Sequence, residues 1–229
     1  MANYIEVRND SGVVQINDNF NNLILLRKFT VAKWQKINNT WNADIAIPEY
    51  PATLFIHNPR NELVELFFAI AAPDGGRLSR HIYVNTTSGN KPSDLEFFIF
   101  GVGVEQPSDS NGLQVYNEDG VCIFSSQRKY LNVVRTIKPI NDEYETQERV
   151  TLKSGIKHAV CMTVPTVHFV GNGGLSHRWD EVFMRLGPQT AYVEFKWGNL
   201  LRAPNDDDFD YDEYTGVSPL WLDANVTGY

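Results

Sequence analysis

Two observations predict an all-β chain built as two tandem antiparallel β-sandwich domains related by internal duplication, with an acidic C-terminal extension. The first is a repeat. I-E-V-R-N-D-S-G-V-V-Q-I-N-D-N-F-N-N-L-I-L-L begins at Ile5, and L-Q-V-Y-N-E-D-G-V-C-I-F-S-S-Q-R-K-Y-L-N-V-V begins at Leu113, aligned without a gap at a constant offset of 108 residues. Val7 matches Val115, Asn9 matches Asn117, Gly12 matches Gly120 and Leu23 matches Leu131, while Ile16/Phe124, Leu25/Val133 and Leu26/Val134 exchange apolar for apolar. Self-similarity at this spacing points to two copies of one unit. The second observation is that short apolar runs with turn residues between them recur along the whole chain, as in sandwiches and small barrels. The expected boundaries are 1–108, 109–201 and 202–229.

Each unit opens on a hairpin. Ile5 and Val7 lead into Asn9-Asp10-Ser11-Gly12 and out through Val13, Val14 and Ile16; Leu113 and Val115 lead into Asn117-Glu118-Asp119-Gly120 and out through Val121, Ile123 and Phe124. β-Branched and aromatic residues at period two suit a pleated, half-buried strand. The closing glycine supplies a positive φ, and Asn or Asp hydrogen-bonds its own turn. A third apolar run follows at Leu23–Leu26 or Leu131–Val134. Further strands are expected at Ala52–His57, Leu63–Ala71, His81–Val84 and Leu95–Val102, and then at Ala159–Val164, Val167–Val170, Glu181–Leu186 and Ala191–Trp197. Asn61–Ala72 also fits a helical period, so its type stays open between helix and strand.

At 229 residues, with 42% apolar and 12% aromatic residues, the chain can fill two cores. Its net charge of −8 argues against a nucleic-acid ligand, which needs clustered Lys and Arg. No window of about 18 apolar residues is present to insert in a membrane, and the strand-like start M-A-N-Y-I-E-V does not read as a signal peptide. Cys122 and Cys161 form no C-x-x-C and read as small core residues of a chain folded in a reducing cytosol.

Chemistry-bearing motifs are sparse. His57, His81, His158, His168 and His177 have no helical metal-ligand spacing, and no nucleophile elbow, Walker loop or dinucleotide fingerprint occurs. Gly171-Asn172-Gly173-Gly174 reads as a turn. The alternating Asp206, Asp208, Asp210 and Asp212 invite a calcium reading, but Tyr211 and Val217 occupy the Gly and bidentate Glu places of an EF-hand loop, so a solvated linker is the simpler reading. The expectation is therefore a non-enzymatic protein with no cofactor and no metal. Two sets of residues are candidates for binding. Val217, Leu220, Trp221 and Leu222 form an apolar patch beyond the acidic run, able to pack back or to dock on a partner. Trp34 and Trp41 bracket a polar run that reads as a hairpin loop, where exposed rings would suit stacking on a glycan and buried ones would fill a core.

The block G-L-Q-V-Y-N-E-D-G-V-C-I-F-S-S-Q-R-K-Y-L-N-V-V, Gly112–Val134, resembles a recurrent pattern of small tail proteins of tailed bacteriophages, with Ser125 where Asp is frequent. The opening N-Y-I-E-V-R-N-D-S-G-V-V-Q-I-N-D-N-F-N-N-L is similar to the start of siphophage tail-region proteins from enterobacterial phages, encoded near central-fibre and tail-tip genes. The resemblance covers those two blocks well and the acidic run poorly. It implies a structural or interaction protein of the virion, at the tail tip or associated with its fibres, assembled in the host cytoplasm. The implied partners are central-fibre or tail-tip proteins and, tail fibres being commonly trimeric, further copies of itself as a homo-oligomer. Attachment to a host receptor or glycan is the alternative role. No catalytic residue comes with the resemblance.

Overall fold

The structure, a computed structural model, describes residues 7–8, 14–16, 23–46, 52–70, 79–102, 112–116, 120, 122–137, 148–162, 167–172, 176–200 and 221–229. The chain is all-β, and among the described residues every strand pairing is antiparallel. The first half contributes β1 (Val7–Arg8), β2 (Val14–Ile16), β3 (Ile24–Thr30), β4 (Gln35–Ile37), β5 (Thr40–Ala46), β6 (Ala52–His57), β7 (Val64–Ile70), β8 (Ser79–Thr86) and β9 (Glu96–Gly101). The second contributes β10 (Gln114–Tyr116), β11 (Cys122–Ser125), β12 (Val133–Ile137), β13 (Glu148–Thr151), β14 (His158–Met162), β15 (Val167–Asn172), β16 (Ser176–Leu186), β17 (Tyr192–Leu200) and β18 (Trp221–Asn225). Among the described residues one 3-10 turn, Pro188–Thr190, links β16 to β17. The window Asn61–Ala72, open between helix and strand in the sequence, holds β7, whose Val64 and Leu66 alternate inward as a pleated strand requires.

Strands from both halves build the same two large sheets. One has six strands in the order β12-β18-β14-β6-β9-β3, and the other has eight, β13-β17-β16-β7-β8-β5-β4 with β15 on β16. The expected boundary between residues 108 and 109 therefore does not separate two sandwiches. The halves meet edge to edge, through β6 with β14 and through β7 with β16. A lone three-stranded sheet would leave those backbone edges unpaired, and joining them removes the exposure. The expected extension, 202–229, is also revised at its end, because Trp221–Asn225 is an interior strand with β12 on one side and β14 on the other. The acidic run 205–213 lies outside the described residues.

The registers of the halves correspond. The hairpin pairs Val7↔Ile16 and Arg8↔Val14 recur, 108 residues on, as Val115↔Phe124 and Tyr116↔Cys122, with the register shift at the same step. On β3 the pairs Leu25↔Phe100, Arg27↔Ile99, Lys28↔Phe98 and Phe29↔Phe97 correspond to Val133↔Ala224, Arg135↔Asp223, Thr136↔Leu222 and Ile137↔Trp221, again with matching bulges. Leu54↔Ile99 then corresponds to Val160↔Asp223, and Phe55↔Phe98 to Cys161↔Leu222. Val160 pairs Ile56 across the seam, which sets Phe55 beside its own counterpart Cys161. An approximate two-fold axis passes there. Above it Leu131 N–H donates to Leu23 carbonyl at 2.8 Å, and those residues are counterparts as well.

Two apolar layers result. Between the sheets lie Leu54, Ile56, Val64, Leu66, Ile82, Val84, Phe97, Ile99, Val160, Met184, Leu186, Val193 and Trp221, drawn from both halves. Burying each such side chain is worth roughly 1.5–3 kcal/mol. On the outer face of the six-stranded sheet Phe55, Phe98, Phe100, Cys161 and Ala224 form a second layer, packed against by Leu23, Leu25, Leu131 and Tyr229.

Candidate functional site

Within the block that carries the resemblance, β10 and β11 pair as a hairpin outside both large sheets, and Val133 and Val134 open β12. Gly112 (φ +95°) and Gly120 (φ +76°) take the left-handed backbone that lets the chain enter and reverse. Leu113 N–H donates to Ser126 Oγ at 3.0 Å and Ser126 N–H to Leu113 carbonyl at 2.9 Å, closing the base. Tyr130 stacks on Phe124 with centroids 5.0 Å apart, and its hydroxyl accepts from Ser125 N–H. Burial pushes the Tyr130 phenol up from its ordinary pKa. These contacts fix the hairpin while leaving apolar side chains outside: Leu113 is 62% and Tyr116 49% exposed, with Val133 at 41% and Val134 at 44% on the adjacent β12. An exposed apolar set on a braced hairpin is suited to contact with another protein.

The sheet edges beside it are guarded. β3 and β12 are the outer strands of the six-stranded sheet, and each carries a bulge followed by Arg27 or Arg135. Arg27 lies over the Phe29 ring at 4.3 Å, and Arg135 donates to Thr151 carbonyl at 3.4 Å. Bulges and arginines at an edge oppose addition of a further strand. What this face leaves exposed is therefore the apolar side chains rather than an open backbone edge.

The binding candidates from the sequence fall elsewhere. Trp221 is fully buried in the inter-sheet core, and Leu222 is half-buried against the outer layer, because β18 is an interior strand whose residues alternate between the two apolar layers. Trp221 is thereby closed to a partner. Val217 and Leu220 lie outside the described residues. Trp34 is 8% exposed and touches Phe97 in the core, so it presents no ring for a sugar. Trp41 is half-buried, donates through Nε1 to Gly89 carbonyl at 3.2 Å, and has Lys36 over its ring. The Gln35–Thr40 run between these tryptophans is a strand and a turn, with Asn38 at φ +55°.

A buried polar cluster spans the seam. His57 Nδ1 donates to His158 carbonyl at 2.7 Å, and Thr190 Oγ1 lies 3.1 Å from the same nitrogen. Thr190 Oγ1 also accepts from Asn58 N–H at 2.7 Å, while Asn58 Nδ2 donates to the carbonyls of Glu62, Leu186 and Gly187. Gln189 and Thr190 hold positive φ, of 51° and 53°, to make these contacts. Burial lowers the His57 pKa, against the raising effect of its hydrogen bond to His158. Glu96, 3.9 Å from His57 Nε2, pairs with Lys28 and Lys157; burial would raise its carboxyl, but the two lysines outweigh that and hold it low. His158 and Asp223 form a second buried pair between the sheets. On the far face of the eight-stranded sheet, Glu65, Arg185, Glu194 and Arg149 form a charge ladder across β7, β16, β17 and β13. Sequence inspection weighed His57 and His158 only for metal-ligand spacing and found none. Their pairing with backbone and with Asp223 depends on a register that spacing along the chain does not reveal.

Comparison with protein-family models, with curated proteins and with solved structures found no match.

Proposed function

We propose that this chain is a non-enzymatic structural and interaction protein of a bacteriophage tail, acting as an assembly or adaptor module at the tail tip or its fibres. The observation that carries the reading is the Gly112–Val134 block. Its sequence resembles the tail-protein pattern, and its hairpin leaves Leu113 and Tyr116 exposed outside the two large sheets. The matched registers of the halves support descent from a duplicated β-module, fused through its inner edges into one sandwich. The contacts this surface would make are with other tail proteins, in a virion assembled in the host cytoplasm. Receptor or glycan attachment is the weaker role, since Trp34 is in the core and Trp41 is occupied by Lys36 and Gly89.

The test is a phage carrying Leu113→Asp and Tyr116→Asp. Both side chains are exposed, so stability should change by only about 0.5 kcal/mol. Mass spectrometry of purified particles should find the parent protein in virions and lose the variant. Absence of the parent from intact particles would refute the tail assignment.

A further inference from the structure

One pair of counterparts differs in chemistry rather than size. In the first half Ala52, Leu54 and Ile99 line the inner side of β6 and β9; in the matched register the second half has His158, Val160 and Asp223 on β14 and β18. His158 and Asp223 are 3% and 2% exposed by side chain. His158 Nδ1 lies 2.7 and 3.0 Å from the two Asp223 carboxylate oxygens, and Nε2 donates to Lys153 carbonyl at 2.6 Å. The pair is fully hydrogen-bonded, yet an apolar pair serves the same place in the other half. Buried polar or ionic pairs are seldom a net gain over apolar residues, and their best-attested use is to select one alignment among several.

β18 needs such selection. It is reached from β17 through residues 201–220, whereas β9 is reached from β8 through 87–95 alone. Its outward residues Leu222, Ala224 and Val226 are small or aliphatic, so sliding the strand by two positions keeps apolar groups on its outward face. The outward pattern alone does not forbid that slip. On the inner face, the slip that brings Asp223 to the place of Trp221 carries its carboxylate about 6.6 Å along the strand away from His158 and leaves it buried without that partner.

We propose that the His158–Asp223 pair is a register key that the second half acquired for its central strand, fixing β18 between β12 and β14. The test installs the first half's residues as the double change His158→Ala, Asp223→Ile. This variant should fold with a Tm close to the parent's, while amides of residues 221–226 exchange with solvent at least tenfold faster or show doubled NMR resonances. The single change Asp223→Ile, which strands the imidazole, should lower Tm by about 10 °C. The conservative pair His158→Gln, Asp223→Asn keeps a hydrogen bond across the same gap and should keep one register. A single, fully protected β18 in the apolar variant would overturn the proposal, as would slippage in the conservative one. Failure of the apolar variant to fold would also overturn it, by assigning the pair to stability instead of alignment.

Discussion

The inner walls of the two halves can be compared residue by residue, because their registers match. In the first, Phe29 stacks on Phe97 at 5.5 Å and Ile99 is enclosed by aliphatic side chains. In the second, Ile137 faces Trp221 and an aspartate stands where Ile99 stood. Both walls are closed to solvent, so the difference is not one of exposure. It shows that one backbone plan tolerates either an apolar filling or a hydrogen-bonded His–Asp pair, provided no partner is left alone. The outward elements diverge more. The second half adds the β15 hairpin to its β16, and its β12 is exposed over four of five residues.

Perturbing counterpart positions separates what the halves share from what each does alone. The largest effects should come from the walls themselves. Trp221→Ala is expected to cost about 4 kcal/mol, and Phe97→Ala a similar amount, read from chemical denaturation; a small loss at Trp221 would show that β18 is not part of the core. Ile99→Asp puts a lone acid where the other half has a paired one and should cost roughly 3–5 kcal/mol. Adding Ala52→His beside it should recover part of that loss if the walls are interchangeable. Gly120→Val should cost about 1–3 kcal/mol, since a β-branched residue resists the φ of +76° while space for its Cβ is open. Equal melting temperatures of variant and parent would remove the strain argument.

The smallest effect is a pH dependence at the seam. Burial holds the His57 pKa below its ordinary 6.5, so the unfolded chain binds the proton first. Its contribution is complete above that value and declines as the pH falls below it. Asp223 has the opposite sign: burial raises its carboxyl above the ordinary 3.8, so its ionisation erodes stability as the pH rises through the native value. Thermal unfolding of His57→Gln between pH 7.5 and 5.5 should show a flatter decline than the parent. Parallel curves would place the acid response elsewhere.

Much of the strand content was legible from alternation and turns. Ala52–His57 is a strand over the expected residues, and Gly120 has the positive φ its turn position demanded. The joining of the halves was not legible. Alternation along β6 says which side chains point inward, but nothing about whether the free edge pairs with a strand 101 residues away. Leu220-Trp221-Leu222 shows the same limit, since a short apolar run reads alike whether it lies on a surface or between two sheets. The exposed Leu113 and Tyr116 were within the recognised block, yet only the hairpin's separation from both sheets distinguishes them from core residues.

The edge-to-edge seam also sets a timetable for synthesis. β6 emerges early, but its neighbour β14 is translated a hundred residues later, and β18 after that. At elongation speeds of about 5–20 residues per second, the nascent first half waits on the order of 5–20 s with a bare β6 edge on the ribosome. A growing chain in that condition is sticky, and the same delay recurs on every ribosome of a polysome, where many such edges are crowded together. Slower translation of the 109–158 stretch should therefore lower the yield of soluble protein more than equal slowing near the start of the message.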